Sequence, residues 1–259
     1  RNDGIDKASG AYILFIDPDD YVETNTFNRI LNSANDKSAQ VCFLGFTSHY
    51  NDGTSYKPYF KEEYTDMVFN GIDAYYIARS DPYTDPDRIW AVLLDKEFID
   101  QNGLRYLPHV PFLEDGELSA RILCLAERCI FDMLPFYNRT VRPGSATNSN
   151  LFYSHSAVNG FLNAASNLRS FRNNPILNEK QKAFMNQPIA KFAILAISAT
   201  SRLSKCNMFK DVSFNLRNIG LDHLDLIGCR KPFKKLGKFY NISPRLLYLY
   251  LIAKSGIQN

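Results

Sequence analysis

The chain has 259 residues, 45% hydrophobic and 22% charged, with 19 Phe and 15 Tyr, a composition that excludes an intrinsically disordered polypeptide. Its net charge of +3 hides an asymmetry: residues 1–150 carry 14 Lys+Arg against 23 Asp+Glu, and residues 151–259 carry 16 against 4. No apolar run reaches the length of a membrane-spanning helix, since the longest candidate, around residues 194–198, is bounded by Lys191 and Arg202.

In chain order, residues 1–9 read as a short helix stopped at Gly10. Residues 11–16, Ala-Tyr-Ile-Leu-Phe-Ile, form a continuous apolar run, which predicts a strand buried on both faces of a mostly parallel sheet. The run ends at Asp17-Pro18-Asp19-Asp20. A helix over residues 23–34 follows, with Phe27, Ile30 and Leu31 at helical spacing and Thr24 or Thr26 as its cap. Residues 40–47 are a second apolar strand, and Asn51-Asp52-Gly53 marks a hairpin turn. Residues 71–79 read as helix, 89–94 as an apolar stretch, and 96–102 as a helix ended by Gly103. A loop marked by Pro108 and Pro111 leads to Leu113-Glu114-Asp115-Gly116, a helix over 117–128, a strand over 130–137 and a polar loop over 140–150. Beyond residue 151 the periodicity is helical throughout, and the final stretch, 210–257, is helical and basic. The expected organisation is an α/β domain over 1–150 and a helical region over 151–259.

Five cysteines (Cys42, Cys124, Cys129, Cys206, Cys229) are scattered without a CxxC pair, and the four histidines show no ligand spacing. Buried, reduced thiols fit this pattern better than a disulfide framework or a zinc site.

The residues that carry chemistry are acidic. A strand that delivers Asp17, Asp19 and Asp20 at its carboxyl end places charge where open α/β sheets bind ligands. Pro18 biases Asp17 towards an extended backbone, so that Asp17 and Asp19 can project to one side. Their hard oxygens suit Mg²⁺ or Mn²⁺ shared with substrate phosphates; an ordinary Asp- and Pro-rich turn is the competing reading. Glu114 and Asp115 open a helix, where acids either cap the helix dipole or serve as a general base. Trp90, the single tryptophan, is either core or a ligand platform, and Arg142 in Arg-Pro-Gly-Ser can clamp a phosphate.

Together these segments resemble glycosyltransferase family 2, the inverting family with the GT-A fold. Residues 1–20, from Arg1-Asn2-Asp3-Gly4 to Asp17-Pro18-Asp19-Asp20, look like that family's central block, a helix and buried strand leading into the metal-binding DxD. Trp90, Phe98, Gly103-Leu104, Leu113-Glu114-Asp115, Tyr137-Asn138-Arg139 and Arg142-Pro143-Gly144-Ser145 follow in the family's order. The resemblance implies a Rossmann-like GT-A mixed sheet lacking its first nucleotide-binding unit, because the family's opening strand and Pro-x-Tyr-Asn-like loop do not precede Arg1. It is followed by a helical C-terminal extension. It further implies that Asp17 and Asp19, supported by Asp20, hold Mg²⁺ or Mn²⁺ on the donor diphosphate. Asp115 would be the catalytic base, with Glu114 and Trp90 in the acceptor or sugar pocket and Arg142 near the diphosphate.

The expected function is inverting transfer of a sugar from a nucleotide diphosphate sugar to a glycan or lipid-linked acceptor, in bacterial surface polysaccharide synthesis. The alternative is a non-catalytic remnant acting as an interaction module. The expected location is the cytoplasm, at the inner face of the membrane if the basic tail rests there. Residues 204–259 hold 10 Lys+Arg and 3 Asp+Glu, with Arg230, Lys231, Lys234, Lys235 and Lys238 beside Phe233, Leu236 and Phe239. That mix suits an anionic membrane face, or a solvated helix packed on its domain. It carries no nucleic-acid-binding motif.

Overall fold

In the computed structural model, residues 1–57, 62–80, 86–141, 150–202 and 206–256 are described. The chain divides into two compact units, one of residues 1–106 with 118–145, the other of residues 107–117 with 146–259.

The first unit is built on a mixed sheet of six strands among the described residues: β1 (Tyr12–Leu14), β2 (Tyr21–Val22), β3 (Val41–Tyr50), β4 (Ser55–Tyr56), β5 (Val92–Asp95) and β6 (Cys129–Val141). The order is β1-β5-β3-β6-β2, with β4 paired to β3. β3 is the central element, and eight of its ten residues are buried in succession, as a strand covered on both faces requires. It runs parallel to β6 from Val41↔Cys129 to Tyr50↔Val141, with the register shifting on either side of Gly45. At that irregularity the β6 backbone presses against Gly45, where a Cβ would sit 2.3 Å from the Leu134 carbonyl oxygen and 2.7 Å from that of Met133.

The apolar run before the Asp-rich segment differs from expectation. β1 is the end strand of this path and pairs antiparallel with β5. Only Ile13 of its three residues is buried, and Ile16 is 48% exposed. Tyr12 and Leu14 pack against the core from one face and Ile13 is buried on the other, so the run is covered on both faces, but in an antiparallel end strand and not in a parallel one. Only the β3–β6 pairing is parallel among the described strands.

The helix expected over 23–34 begins as a 3₁₀ turn, Thr24–Thr26, and continues as α2 (Phe27–Asp36), preceded in the chain by α1 (Asn2–Lys7). Ile30 and Ala34 of α2 are fully buried and join Cys42, Leu44, Leu93, Ile130 and Phe136 in one cluster. Phe27 stacks on Phe136 with ring centroids 5.8 Å apart. The hairpin forms as predicted: Tyr50 and Thr54 close it, and Asp52 accepts from the Thr54 amide at 2.9 Å. α3 (Gly71–Ala78) is capped by the Asn70 side chain, and α4 (Lys96–Gln101) by Asp95. α5 spans Glu114–Leu125.

The second unit is helical: α6 (His155–Arg172), α7 (Glu179–Arg202), α8 (Cys206–Asn218), α9 (Lys231–Ile242) and α10 (Pro244–Gly256). Small residues let α6 and α7 approach closely. Ala157, Ala164 and Ala165 on one and Ala190, Ala193 and Ala196 on the other are all buried, with Phe161 and Phe192 filling the space between. α8 ends in a Schellman motif, in which Leu221 donates to the Leu216 carbonyl and Gly220 to that of Arg217. The connector from α8 to α9 is pinned by side chains. Asn241 both donates to and accepts from the Leu224 backbone at 2.8 Å, Asn186 donates to the Ile227 carbonyl at 3.0 Å, and the Tyr240 hydroxyl donates to that of Leu221.

The basic tail also differs in detail from expectation. Lys231, Lys234, Lys235 and Lys238 share one exposed face of α9, as their spacing of three and four residues dictates. Phe233, Leu236 and Phe239 turn away from it and are half-buried, Phe239 stacking on Tyr250 at 4.8 Å. The exposed apolar residues of this region are instead Ile242 (75%), Leu246 (37%) and Leu249 (53%).

Cys42, Cys124, Cys129 and Cys229 are free and buried. Burial raises all four thiol pKa values, Cys124 to about 12 and Cys229 to about 11, so they stay protonated and inert. No helix among the described residues is long and apolar enough to cross a membrane.

Candidate active site

Asp17 to Asp20 form a tight turn, closed by the Asp20 amide donating to the Asp17 carbonyl at 3.0 Å. Pro18 occupies the second turn position, where its fixed φ is favoured. The turn reading and the ligand reading of this segment are therefore compatible: the turn is what presents the acids.

The turn is held by β6. The Tyr137 hydroxyl donates to Asp20 Oδ2 at 2.6 Å and accepts from the Asp17 amide at 3.1 Å. The Thr140 amide donates to Asp20 Oδ1 at 2.8 Å. Both carboxylate oxygens of Asp20 thus face donors on β6. Beyond the turn, Tyr21 and Val22 pair with Asn138 and Tyr137, and Glu23 donates its amide to the Phe136 carbonyl at 2.8 Å. Asn138 connects Glu23 at 3.1 Å to His49 at 2.9 Å. Burial, then the bond to Asp20, pushes the Tyr137 hydroxyl pKa well up. Tyr137 therefore remains a proton donor to the carboxylate across any working pH.

The acids of this turn divide by environment. Asp20 is engaged, Asp19 is exposed, and Asp17 is half-exposed with Arg1 Nη2 at 3.8 Å. Asp17 and Asp19 offer hard oxygen donors, the type that Mg²⁺ and Mn²⁺ accept. No group of three or more His, Cys, Asp or Glu poised to hold a metal occurs among the described residues. A cation held there would need its remaining ligands from phosphate oxygens and water, which is the usual way Mg²⁺ is shared with a nucleotide.

Trp90 lies beside this turn through Tyr137, whose ring is 5.4 Å from the indole. The edge contact with Phe46 is 5.0 Å. Two guanidinium groups lie over the indole, that of Arg88 at 4.9 Å and that of Arg139 at 5.0 Å. Arg88 is only 4% exposed and donates to the Trp90 carbonyl at 3.3 Å. Arg139 is half-buried, and its side chain makes no hydrogen bond or ion pair with any described residue.

The sequence marks Tyr137 and Arg139 only within the Tyr137-Asn138-Arg139 run, with no role assigned, and does not mark Arg88. The signal was present in the alternation of extended chain: Arg88 is two residues from Trp90, and Arg139 two from Tyr137, so each pair can share a side. Arg142 lies outside the described residues.

Glu114 and Asp115 fall in the second compact unit and are half-buried in the first turn of α5. Leu113 just before them has φ +59, and Ala91 just after Trp90 has φ +51. Left-handed backbone at a residue with a side chain costs on the order of 1–3 kcal/mol and concentrates at functional sites. Two of the predicted site positions therefore adjoin strained backbone, which periodicity cannot reveal.

Residues 1–94 match the family model described as Glycosyl transferase family 2. Consistent with this, the uncharacterized glycosyltransferase EpsJ of Bacillus subtilis (strain 168) is 26% identical over 136 residues, which cover 49% of this chain. The match spans 37% of that relative's length. Among solved structures, S. aureus TarS 1-349 in complex with UDP-GlcNAc aligns over 100% of this chain and 71% of its own, with a TM-score of 0.61 and 14% identity. The same TarS segment in complex with UDP gives 0.59, also at 14% identity, covering 100% of this chain and 70% of its own. At that identity the likeness establishes the fold: a GT-A mixed sheet with a helical extension.

Proposed function

We propose that the family 2 segment and its helical extension belong to a glycosyltransferase that moves a sugar, with inversion, from a nucleotide diphosphate sugar to an acceptor hydroxyl in surface polysaccharide assembly. The observation that carries this reading is the Asp17–Asp20 turn locked onto β6 by Tyr137 and Thr140, with the Arg139 guanidinium over Trp90 beside it. Such a turn presents carboxylates without spending any of the rigidity on the substrate. UDP and UDP-GlcNAc bound in the TarS structures support a nucleotide-sugar donor here.

Asp17 and Asp19 would hold Mg²⁺ or Mn²⁺, with Asp20 positioning the turn from behind. When bound, that ion supplies a Lewis acid against the charge developing on the leaving diphosphate. Arg139 adds a planar cation whose N–H donors match phosphate oxygens. Asp115 takes the acceptor proton as the new bond forms, and a single displacement needs no protein nucleophile. Glu114 and Trp90 shape the acceptor and sugar surroundings.

The test is a matched pair of variants in the full-length protein. Asp19→Ala is expected to lower Mn²⁺-dependent affinity for a panel of nucleoside diphosphates at least tenfold by calorimetry. Asp115→Asn is expected to leave that binding intact and to cut transfer by about 10²-fold or more. A protein that binds none of the panel with Mn²⁺ is the interaction module instead, and transfer at the parent rate in Asp115→Asn removes Asp115 from the mechanism.

A second reading concerns location. The four-lysine face of α9, continued at helical spacing by exposed Ile242, together with exposed Leu246 and Leu249 of α10, supports contact with the anionic cytoplasmic face of a membrane. A lipid-linked acceptor would be met there.

A further inference from the structure

We propose that the helical unit contains an oxyanion-binding site, separate from the Asp-rich turn, that takes the phosphate group of a monoester or diester. It is a cavity of about 170 Å³ between the end of α6, the middle of α7 and the α8–α9 connector, lined among others by Arg169, Arg172, Asn173, Asn186, Gly220 and His223.

The two arginines are in different states. Arg172 is satisfied: its Nη2 pairs with Asp225 Oδ2 at 2.7 Å and its Nε donates to the Lys182 carbonyl at 3.2 Å. Asp225, the acid that lines the cavity, is thereby neutralised. Arg169 is half-buried, and its guanidinium makes no hydrogen bond or ion pair with any described residue. A guanidinium carries five N–H donors, and those of Arg169 have no bonded acceptor among the described residues.

The fold nevertheless holds Arg169 in this position. Gly220, at φ +69, is the left-handed residue of the Schellman motif that ends α8, and the guanidinium lies against its α-carbon. A Cβ at that position would meet Arg169 Nη2 at 2.4 Å and Cζ at 2.8 Å. The glycine that the helix end requires is thus also the floor on which the cation rests. The connector forming this wall is fixed by Asn241 and Asn186, so the cavity is shaped before a ligand arrives. A preorganised, unbalanced guanidinium fork in a small polar cavity, with Asn173 and His223 beside it, has the chemistry of phosphate recognition.

The experiment uses the full chain with inorganic phosphate as the probe and chloride at equal ionic strength as the comparator. Phosphate is expected to bind at a single site by calorimetry and to raise the melting temperature above the chloride value. Arg169→Gln is expected to weaken that binding at least tenfold, and Arg169→Lys, which keeps the charge and loses the fork, to weaken it several-fold. Phosphate that acts no differently from chloride, or binds Arg169→Gln as it binds the parent, overturns the site. Two further probes identify the source of the phosphate. Glycerol 3-phosphate binding that is lost in Arg169→Gln assigns a soluble ester. Binding to phosphatidic acid vesicles that is lost in Arg169→Gln and kept when the α9 lysines are reversed assigns a lipid headgroup. Arg169→Gln is expected to leave Mn²⁺-dependent nucleotide binding unchanged, so failure of this site and failure of the proposed transfer reaction are read separately.

Discussion

The two compact units treat their polar side chains in opposite ways. In the sheet unit, acids are drawn into a bonded chain: Asp20 is held by Tyr137 and Thr140, Glu23 by Asn138, and Asn138 by His49. In the helical unit, cations are left over: four lysines line α9, and Arg169 faces a cavity with no partner among the described residues. The cores differ in parallel, with stacked aromatics between β3 and β6 and alanines between α6 and α7. The difference teaches where each unit is rigid. The sheet unit spends its hydrogen bonds on fixing a turn of acids, and the helical unit spends its packing on presenting positive charge.

The comparison breaks most severely at Gly45. Its Cα faces β6 backbone, and the oxygens a Cβ would strike, those of Leu134 and Met133, cannot rotate away as a side chain can. Gly45→Ala must separate β3 from β6 or lose the irregular register between them. The expected destabilisation is about 3 kcal/mol, at the upper end of overpacking costs. Hydrogen exchange should show it in the amides of residues 41–46 and 129–137, with α6 and α7 unaffected. Parent-like protection along β3 would mean that the close approach is not required.

Tyr137→Phe is a milder cut with a more informative readout. It removes one hydroxyl and leaves Asp20 Oδ2 and the Asp17 amide short of a partner. A hydrogen bond to a charged group is worth about 1.5–3 kcal/mol, so a denaturant midpoint should fall accordingly. The same variant should lower Mn²⁺-dependent nucleotide affinity, because the turn that presents Asp17 and Asp19 is no longer clamped. Tyr137→Phe that loses stability while keeping full metal-dependent affinity would leave Tyr137 with a role in folding alone.

Much of this was legible in the sequence, for identifiable reasons. β3, the hairpin at Asn51-Asp52-Gly53, the helix stop at Gly103 and the all-helical second half rest on local rules of periodicity and turn chemistry. The Asp-rich segment was found because three acids after an apolar run are conspicuous. What was not legible depends on pairing between distant residues. That β1 is an antiparallel end strand follows from its partner β5, some 80 residues on, and an apolar run of its length reads the same for an end strand as for a central one. The role of Tyr137 as a clamp depends on a contact across 117 residues to Asp20. The strained backbone at Ala91 and Leu113 has no sequence signature, since neither residue type favours positive φ. The lysines of α9 were visible, and the choice between a membrane face and a packed helix was left open because it turns on packing: Phe233, Leu236 and Phe239 are half-buried, Phe239 against α10.

That last point gives the smallest effect on stability and a clean test of what the helical unit's charge is for. Lys231, Lys234 and Lys238 are exposed and have no carboxylate partner among the described residues. Reversing Lys234 and Lys238 to Glu should change stability by no more than about 0.5 kcal/mol per site, as surface substitutions do. Vesicles carrying anionic lipid read the other side of the question. Each lysine near such a surface is worth about 1 kcal/mol, and reversal also adds repulsion, so the double variant should lose binding at low salt by more than tenfold. Ile242→Ser should weaken the same binding without altering its salt dependence, because it removes an apolar contact and no charge. If both variants bind vesicles as the parent does, the positive face of α9 serves solubility, and the contrast between the two units lies in the cavity around Arg169 alone.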